Sequence, residues 1–255
     1  MTENLFDTNS TRTQVFKALV GSHNYNLNTP ESDKDYKLFV LPTFDDLYSG
    51  IEYTYSMTSE SEDITTSDIR KLSGLFYKAN INSLEILYSK ELEILLPKAH
   101  KCYEDVKSIF FQRERICTMN MPYLLHSCKG MFLNKKKMMT NSSNKDYSES
   151  LGYAPKHAMG AYRIMDFLIR YKSFIEMQAD HPFKLAIDYF YEKEQDELLN
   201  IRKGIYSLEQ INAILDTKYN VALATCEDFY LSKELDTDIL LWLNNKLKKI
   251  VKDNM

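Results

Sequence analysis

Along the chain the spacing of apolar residues changes rhythm between a strand-like front and a helical back. Residues 15–20 (Val-Phe-Lys-Ala-Leu-Val) and 36–41 (Tyr-Lys-Leu-Phe-Val-Leu) are short apolar runs bounded by turn formers, and a third such run opens at 51–55. Runs of this length between turn residues read as strands. From Ser67 onward the spacing becomes helical, with Ile69, Leu72, Leu75 and Phe76 on one face and Ser67 placed to cap the first turn. Segments 156–178, 208–216 and 236–253 then repeat apolar residues at three and four. The lysine triplet Lys135-Lys136-Lys137 runs into Thr-Asn-Ser-Ser-Asn-Lys-Asp, so 134–150 reads as a boundary or mobile loop. The pattern predicts an α+β fold: a small sheet within residues 1–100, then a mainly helical region over 101–255.

Composition narrows the function classes without choosing among them. Apolar residues make up 44% and charged residues 27%, the balance of a folded globular chain. The formal charge of −4 leaves no global basic field, so any nucleic-acid partner must be met locally. Cys102, Cys117, Cys128 and Cys226 form neither a close pair nor a cluster with histidine, which argues against zinc and for free thiols. The first residues lack the basic start and apolar run of a secretory signal, and no stretch is apolar enough to span a bilayer, so a cytoplasmic protein is expected. The oligomeric state is not legible.

Candidate chemistry concentrates between the first two apolar runs, in Gly21-Ser22-His23-Asn24-Tyr25-Asn26-Leu27 and Ser32-Asp33-Lys34-Asp35. After a strand, a Gly-Ser turn can bring backbone N–H groups and a hydroxyl against phosphate, because glycine has no side chain to block the approach. If Asp33 and Asp35 lie on a strand, alternation puts both carboxylates on one face, where they can share hard cations such as magnesium. Taken alone, an acidic-x-acidic triplet says little. Glu60/Glu62, Glu192/Glu194 and Asp236/Asp238 also satisfy it and read as solvated surface. The order strand, Gly-Ser, spacer, Asp-x-Asp, strand is the informative feature.

That order resembles the signature of the DNA polymerase beta superfamily of nucleotidyltransferases. It is closer to a bacterial and phage subgroup placed in an RNA repair pathway, in which Gly-Ser-x-x-Tyr-Gly-Leu precedes Ser-Asp-x-Asp. Gly21, Ser22, Tyr25, Leu27, Ser32, Asp33 and Asp35 match, while Asn26 stands for the expected glycine; asparagine tolerates positive φ, so the turn is expected to survive. The likeness extends through Asp63, the stretch Asn80-Ile81-Asn82-Ser83-Leu84-Glu85-Ile86-Leu87-Tyr88, Lys156-His157-Ala158 with Arg163, and Glu197 to Gly204.

The resemblance implies a small mixed β-sheet nucleotidyltransferase core with a helical region closing over a nucleoside triphosphate. It implies Asp33, Asp35 and Asp63 as catalytic, metal-holding carboxylates for two magnesium (or manganese) ions, with Glu60, Glu62 and Asp68 as rivals to Asp63. Gly21, Ser22, Lys156 and His157 are implied as nucleotide contacts. Glu85 reads either as a neighbour of the site or as a helix-surface residue, Lys156 also as a surface lysine, and Arg202 also as part of a helix end. The acceptor implied is an RNA hydroxyl. Arg113, Arg115, Lys129 and Lys135 to Lys137 are candidates to guide it, although a solvated loop is the commoner explanation for a lysine triplet and the negative net charge favours it. Nucleotidylation of a protein hydroxyl, and a nucleotide-binding module without catalysis, stay open as alternatives.

Overall fold

The computed structural model describes residues 12–30, 32–59, 61–189 and 192–255; Glu60 and the side chains of Glu192 and Glu194 lie outside what it describes. Strand β1 (Gln14–Val20) passes through the short turn of helix α1 (Ser22–Tyr25) into β2 (Lys34–Val40). Helix α2 (Phe44–Tyr48) and strand β3 (Thr54–Thr58) precede β4 (Glu62–Asp68). Helices α3 (Lys71–Tyr77) and α4 (Ile81–Leu84), a 3-10 turn at Glu85–Tyr88 and strand β5 (Leu92–Ile94) complete the front. Among the described residues the elements after it are all helices: α5 (Tyr103–Phe111), α6 (Arg113–Thr118), α7 (Met121–Met139), α8 (Pro155–Glu176), α9 (Pro182–Ile187), α10 (Glu192–Lys203), α11 (Leu208–Leu231) and α12 (Thr237–Asn254). The α+β class read from the sequence is the class observed.

The sheet is mixed, in the order β3-β4-β2-β1-β5, with β2 and β4 parallel and every other pair antiparallel. Alternation gives it two faces. Phe16, Ala18, Val20, Phe39 and Leu41 face the helices and belong to one buried cluster that continues through α7, α8 and α11 to Ile250. Leu19, Tyr36, Leu38, Val40 and Ile64 form a smaller cluster on the opposite face. Helix α8 is the hub of the helical part and packs on α7, α9, α10 and α11. Pro155 at its first turn costs nothing, because that N–H has no partner inside a helix.

Several expectations need correction. The third strand falls where the run 51–55 opens but starts only at Thr54, three residues into that run, and β4 is a strand that periodicity did not announce. Ser67 does not cap a helix; it lies inside β4, and the side chain of the following Asp68 accepts the Arg70 N–H at 2.8 Å just before α3. The segment 134–150 is not all loop, since α7 runs on to Met139 and carries all three lysines. All four cysteines are free and buried, and among the described residues no helix is long and apolar enough to cross a membrane.

Candidate active site

At the end of β1 the chain turns sharply into α1. Gly21 sits at φ 76°, ψ −152°, and a Cβ placed there would stand 2.6 Å from Oδ2 of Asp35. Both the backbone angle and the close approach therefore demand glycine. Asn26 ends α1 in the left-handed region at φ 62°, as its substitution for glycine in the motif led us to expect. Ser22 lines a cleft of about 500 Å³ between the sheet and the helices.

The Gly21 amide is not free for a phosphate. It donates to Oε2 of Glu85 at 3.0 Å, and the Asn24 side-chain amide donates to the same oxygen at 3.4 Å. Glu85 is only 2% exposed, so it is neither on a helix surface nor facing solvent. Sequence reading undervalued it. The available signal was a lone charge inside the apolar run Leu84-Glu85-Ile86-Leu87, which needs a buried partner to be tolerated.

The three carboxylates implied by the resemblance line the same cleft. Asp33 stands one residue before β2 and Asp35 within it, so strand alternation gives the two the same face. The parallel ladder then sets Asp35 directly beside Asp63 of β4. Burial raises the Asp35 carboxyl above its ordinary range, and the neighbouring charges of Asp33 and Asp63 add to the rise. Oδ1 of Asp63 is buried with no hydrogen-bond partner among the described residues.

The two rivals to Asp63 that the structure describes are otherwise engaged, and Glu60 lies outside the described residues. Asp68 is fully buried in an ion pair with Arg70 at 2.6 Å, and Glu62 lies 3.8 Å from Lys17. As the side chains stand, no three His, Cys, Asp or Glu among the described residues close around a single ion point. The donor set nevertheless suits hard divalent cations: oxygen ligands only, one of them an orphaned buried oxygen, and mutual repulsion that a cation relieves.

Basic side chains share the cleft: Lys37 of β2, Lys135 of α7, Lys156 and Arg163 of α8, and Arg202 of α10. Among the described residues none of these five has a carboxylate within ion-pair distance. Lys156 acts electrostatically on Asp35, which locates it at the carboxylates. Arg163 is 7% exposed, lies 4.0 Å over the ring of Tyr25, and has a buried Nη1 without a hydrogen-bond partner. Arg202 makes loose contacts to the Leu27 carbonyl at 3.5 Å and Ser32 Oγ at 3.3 Å.

From sequence, Lys135 reads as part of a basic run that guides an acceptor or lies in a solvated loop. Instead its stem crosses α8 at Gly160, 3.5 Å from where a Cβ would be, and burial lowers its pKa, with Arg163 and Lys156 adding to the fall. The other members of that run are mostly satisfied elsewhere: Lys129 pairs with Glu227 at 2.9 Å and Lys136 with Asp216, while Arg115 pairs with Asp236 at 2.8 Å.

One implied contact is not brought to the cleft. His157 turns toward the 140–150 segment, where it meets Asn144 and lies 3.9 Å from Asp146. Burial lowers its pKa, and the nearby charges of Lys135 and Lys156 act in the same sense.

A search of curated proteins returned no match. Among solved structures, a nucleotidyltransferase-like protein from Exiguobacterium sibiricum aligns over 95% of this chain and 84% of its own, at 13% identity and a TM-score of 0.30. That superposition is too loose to fix any detail. Membership is settled by sequence: the profile of the RNA repair pathway DNA polymerase beta family matches residues 4–217, and the chain belongs to that family.

Proposed function

We propose that the protein is a metal-dependent nucleotidyltransferase that moves a nucleoside monophosphate from a nucleoside triphosphate to an acceptor hydroxyl, releasing pyrophosphate. The supporting observation is the composition of the cleft: Asp33, Asp35 and Asp63 at the sheet rim, with the buried Glu85 behind them, share it with five basic side chains that, among the described residues, have no carboxylate within ion-pair distance. A polyphosphate calls for both, cations for its terminal oxygens and carboxylates for the ions that travel with it. Asp33, Asp35 and Asp63 would hold two magnesium or manganese ions, which when bound neutralise charge gathering at the reacting phosphorus and make the acceptor hydroxyl more acidic.

The chain's own residues do the rest. Ser22 Oγ, Lys135, Lys156 and Arg163 bind the β and γ phosphates and hold the chain of phosphates in line for displacement. Asp63, through Oδ1, takes the proton of the acceptor hydroxyl. The acceptor oxygen bonds to the α phosphorus as the bond to pyrophosphate breaks, and the side chains of Lys135, Lys156 and Arg163 stabilise the departing charge. Residues 101–255 supply the wall that closes the cleft, keeping water from competing with the acceptor.

The acceptor proposed is an RNA hydroxyl, in keeping with the family's description, and the setting is the cytoplasm. Incubating the protein with α-labelled triphosphates, magnesium, and either RNA or cell extract tests this. Label in the RNA fraction is the expected result. Label on protein moves the acceptor to a protein hydroxyl, and magnesium-dependent triphosphate binding without pyrophosphate release for any acceptor reduces the protein to a nucleotide-binding module.

A further inference from the structure

Beneath the Gly21 turn, where it also lines the cleft, lies a group that joins the cleft's two halves. Glu85 binds the Gly21 N–H at 3.0 Å and the Asn24 amide at 3.4 Å, and Asn24 Oδ1 in turn accepts the Lys90 N–H at 3.0 Å. The turn is thereby pinned from below at two points, to the segment that follows α4. On the helical side Arg163 of α8 faces the same carboxylate and covers the ring of Tyr25. The groups around Glu85 are thus Tyr25 and the Gly21 and Asn24 donors on the sheet side, and Arg163 on the helical side. A carboxylate this deeply buried is costly unless its contacts are specific.

We infer that Glu85 is a positioning residue: it fixes the Gly21-Ser22 backbone against Asp35 and holds the Arg163 charge at the cleft, so that the phosphate turn and helix α8 are set as one unit. This rests on the nucleotidyltransferase reading for its consequence, although the Glu85 to Gly21 tie stands on geometry alone. When ionised, the carboxylate is the stronger acceptor for the Gly21 N–H and the proper counter-charge for Arg163. Burial pushes its pKa up to about 7, with Tyr25, Arg163, Gly21 and Asn24 pulling in the other direction. The brace therefore strengthens as pH rises through neutrality.

The sequence offers a clean reporter, because Val20-Gly21 is the only valine-glycine pair in the chain. Labelling valine carbonyl carbon and glycine nitrogen isolates the Gly21 amide by magnetic resonance. In the wild type its proton shift should titrate near pH 7, and in Glu85→Gln it should be flat. Calorimetry with a non-hydrolysable triphosphate and magnesium should show Glu85→Gln about tenfold weaker than wild type at pH 8, a loss of the size of one charge-assisted bond, and nearly equal at pH 6. A Gly21 amide that does not titrate in the wild type overturns the tie. An affinity deficit that is absent, or the same at both pH values, overturns the positioning role. If the wild type binds no triphosphate at all, the proposed function fails, and the Gly21 signal still judges the tie.

Discussion

On the sheet side of the cleft, Asp35 and Asp63 stand abreast because two parallel strands hold them in register by main-chain hydrogen bonds. On the helical side, Lys135, Lys156 and Arg202 reach in from three different helices on long flexible stems. The carboxylates are placed by backbone, so their spacing survives any single side-chain change nearby. The cations are placed by rotamers and by the packing of α7, α8 and α10, so they are individually replaceable and collectively tunable. The function proposed above, which needs metal held rigidly and a long polyphosphate admitted, would benefit from this division of labour.

The comparison can be attacked first at its rigid half. Asp33→Asn with Asp35→Asn removes the charge but keeps the shape, so transfer should fall by on the order of 10³-fold or more while the thermal midpoint holds or rises. Retained activity in a labelled-triphosphate assay sinks the assignment. The expected gain in stability follows from the raised Asp35 carboxyl, whose ionisation at neutral pH the fold disfavours.

Glu85 comes next, as the brace between the halves. Its folded pKa of about 7 lies above its ordinary 4.5, so the stability it lends is full below 4.5 and is lost as pH rises toward 7. Relative to Glu85→Gln, the wild type should lose on the order of 3 kcal/mol across that window, read as the difference between their denaturant midpoints at pH 4.5 and 7.5. Parallel curves would show that Glu85 titrates normally.

The flexible half should respond more mildly and selectively. Lys135→Met should raise KM for the triphosphate about tenfold with kcat less affected, the loss of one phosphate contact, while Lys136→Met should change neither by more than about twofold. Equal effects would mean that the lysine run acts as a diffuse field after all. Smallest of all, His157→Gln should leave activity within about twofold, since His157 faces Asn144 and Asp146 away from the cleft; a tenfold loss would return it to the site.

How much of this could be read from the chain follows the same division. The Gly21-Ser22 turn, the Asp33/Asp35 pair and even the left-handed Asn26 were legible, because each is a local backbone requirement written into neighbouring residues. Strand β4 was not. In Glu-Asp-Ile-Thr-Thr-Ser-Asp only Ile64 is aliphatic, and its other inward positions, Thr66 and Asp68, are polar yet buried. Lys135 was missed because a lysine triplet followed by turn residues reads as a loop. A continued apolar stripe through Cys128, Phe132 and Met139 was the signal that the helix runs on, with Lys135 one turn beyond Met131 on the cleft face. For Glu85 the apolar run around it signals burial, but its partner Gly21 lies 64 positions away, and no local pattern encodes that pairing.

Between Asp35 and Asp63 the chain leaves the sheet, forms α2 and the edge strand β3, and returns. Arg12 clasps Asp46 at 2.7 Å at one side of this detour, and Arg70 clasps Asp68 at the other. Since the ladder alone dictates the distance between the two aspartates, the excursion is free to lengthen, shorten or change sequence at its exposed tip without disturbing them. The fixed centre is thus uncoupled from the length of the chain between its parts, and grafting a different tip at residues 49–52 should leave the pairing of Asp35 with Asp63 intact.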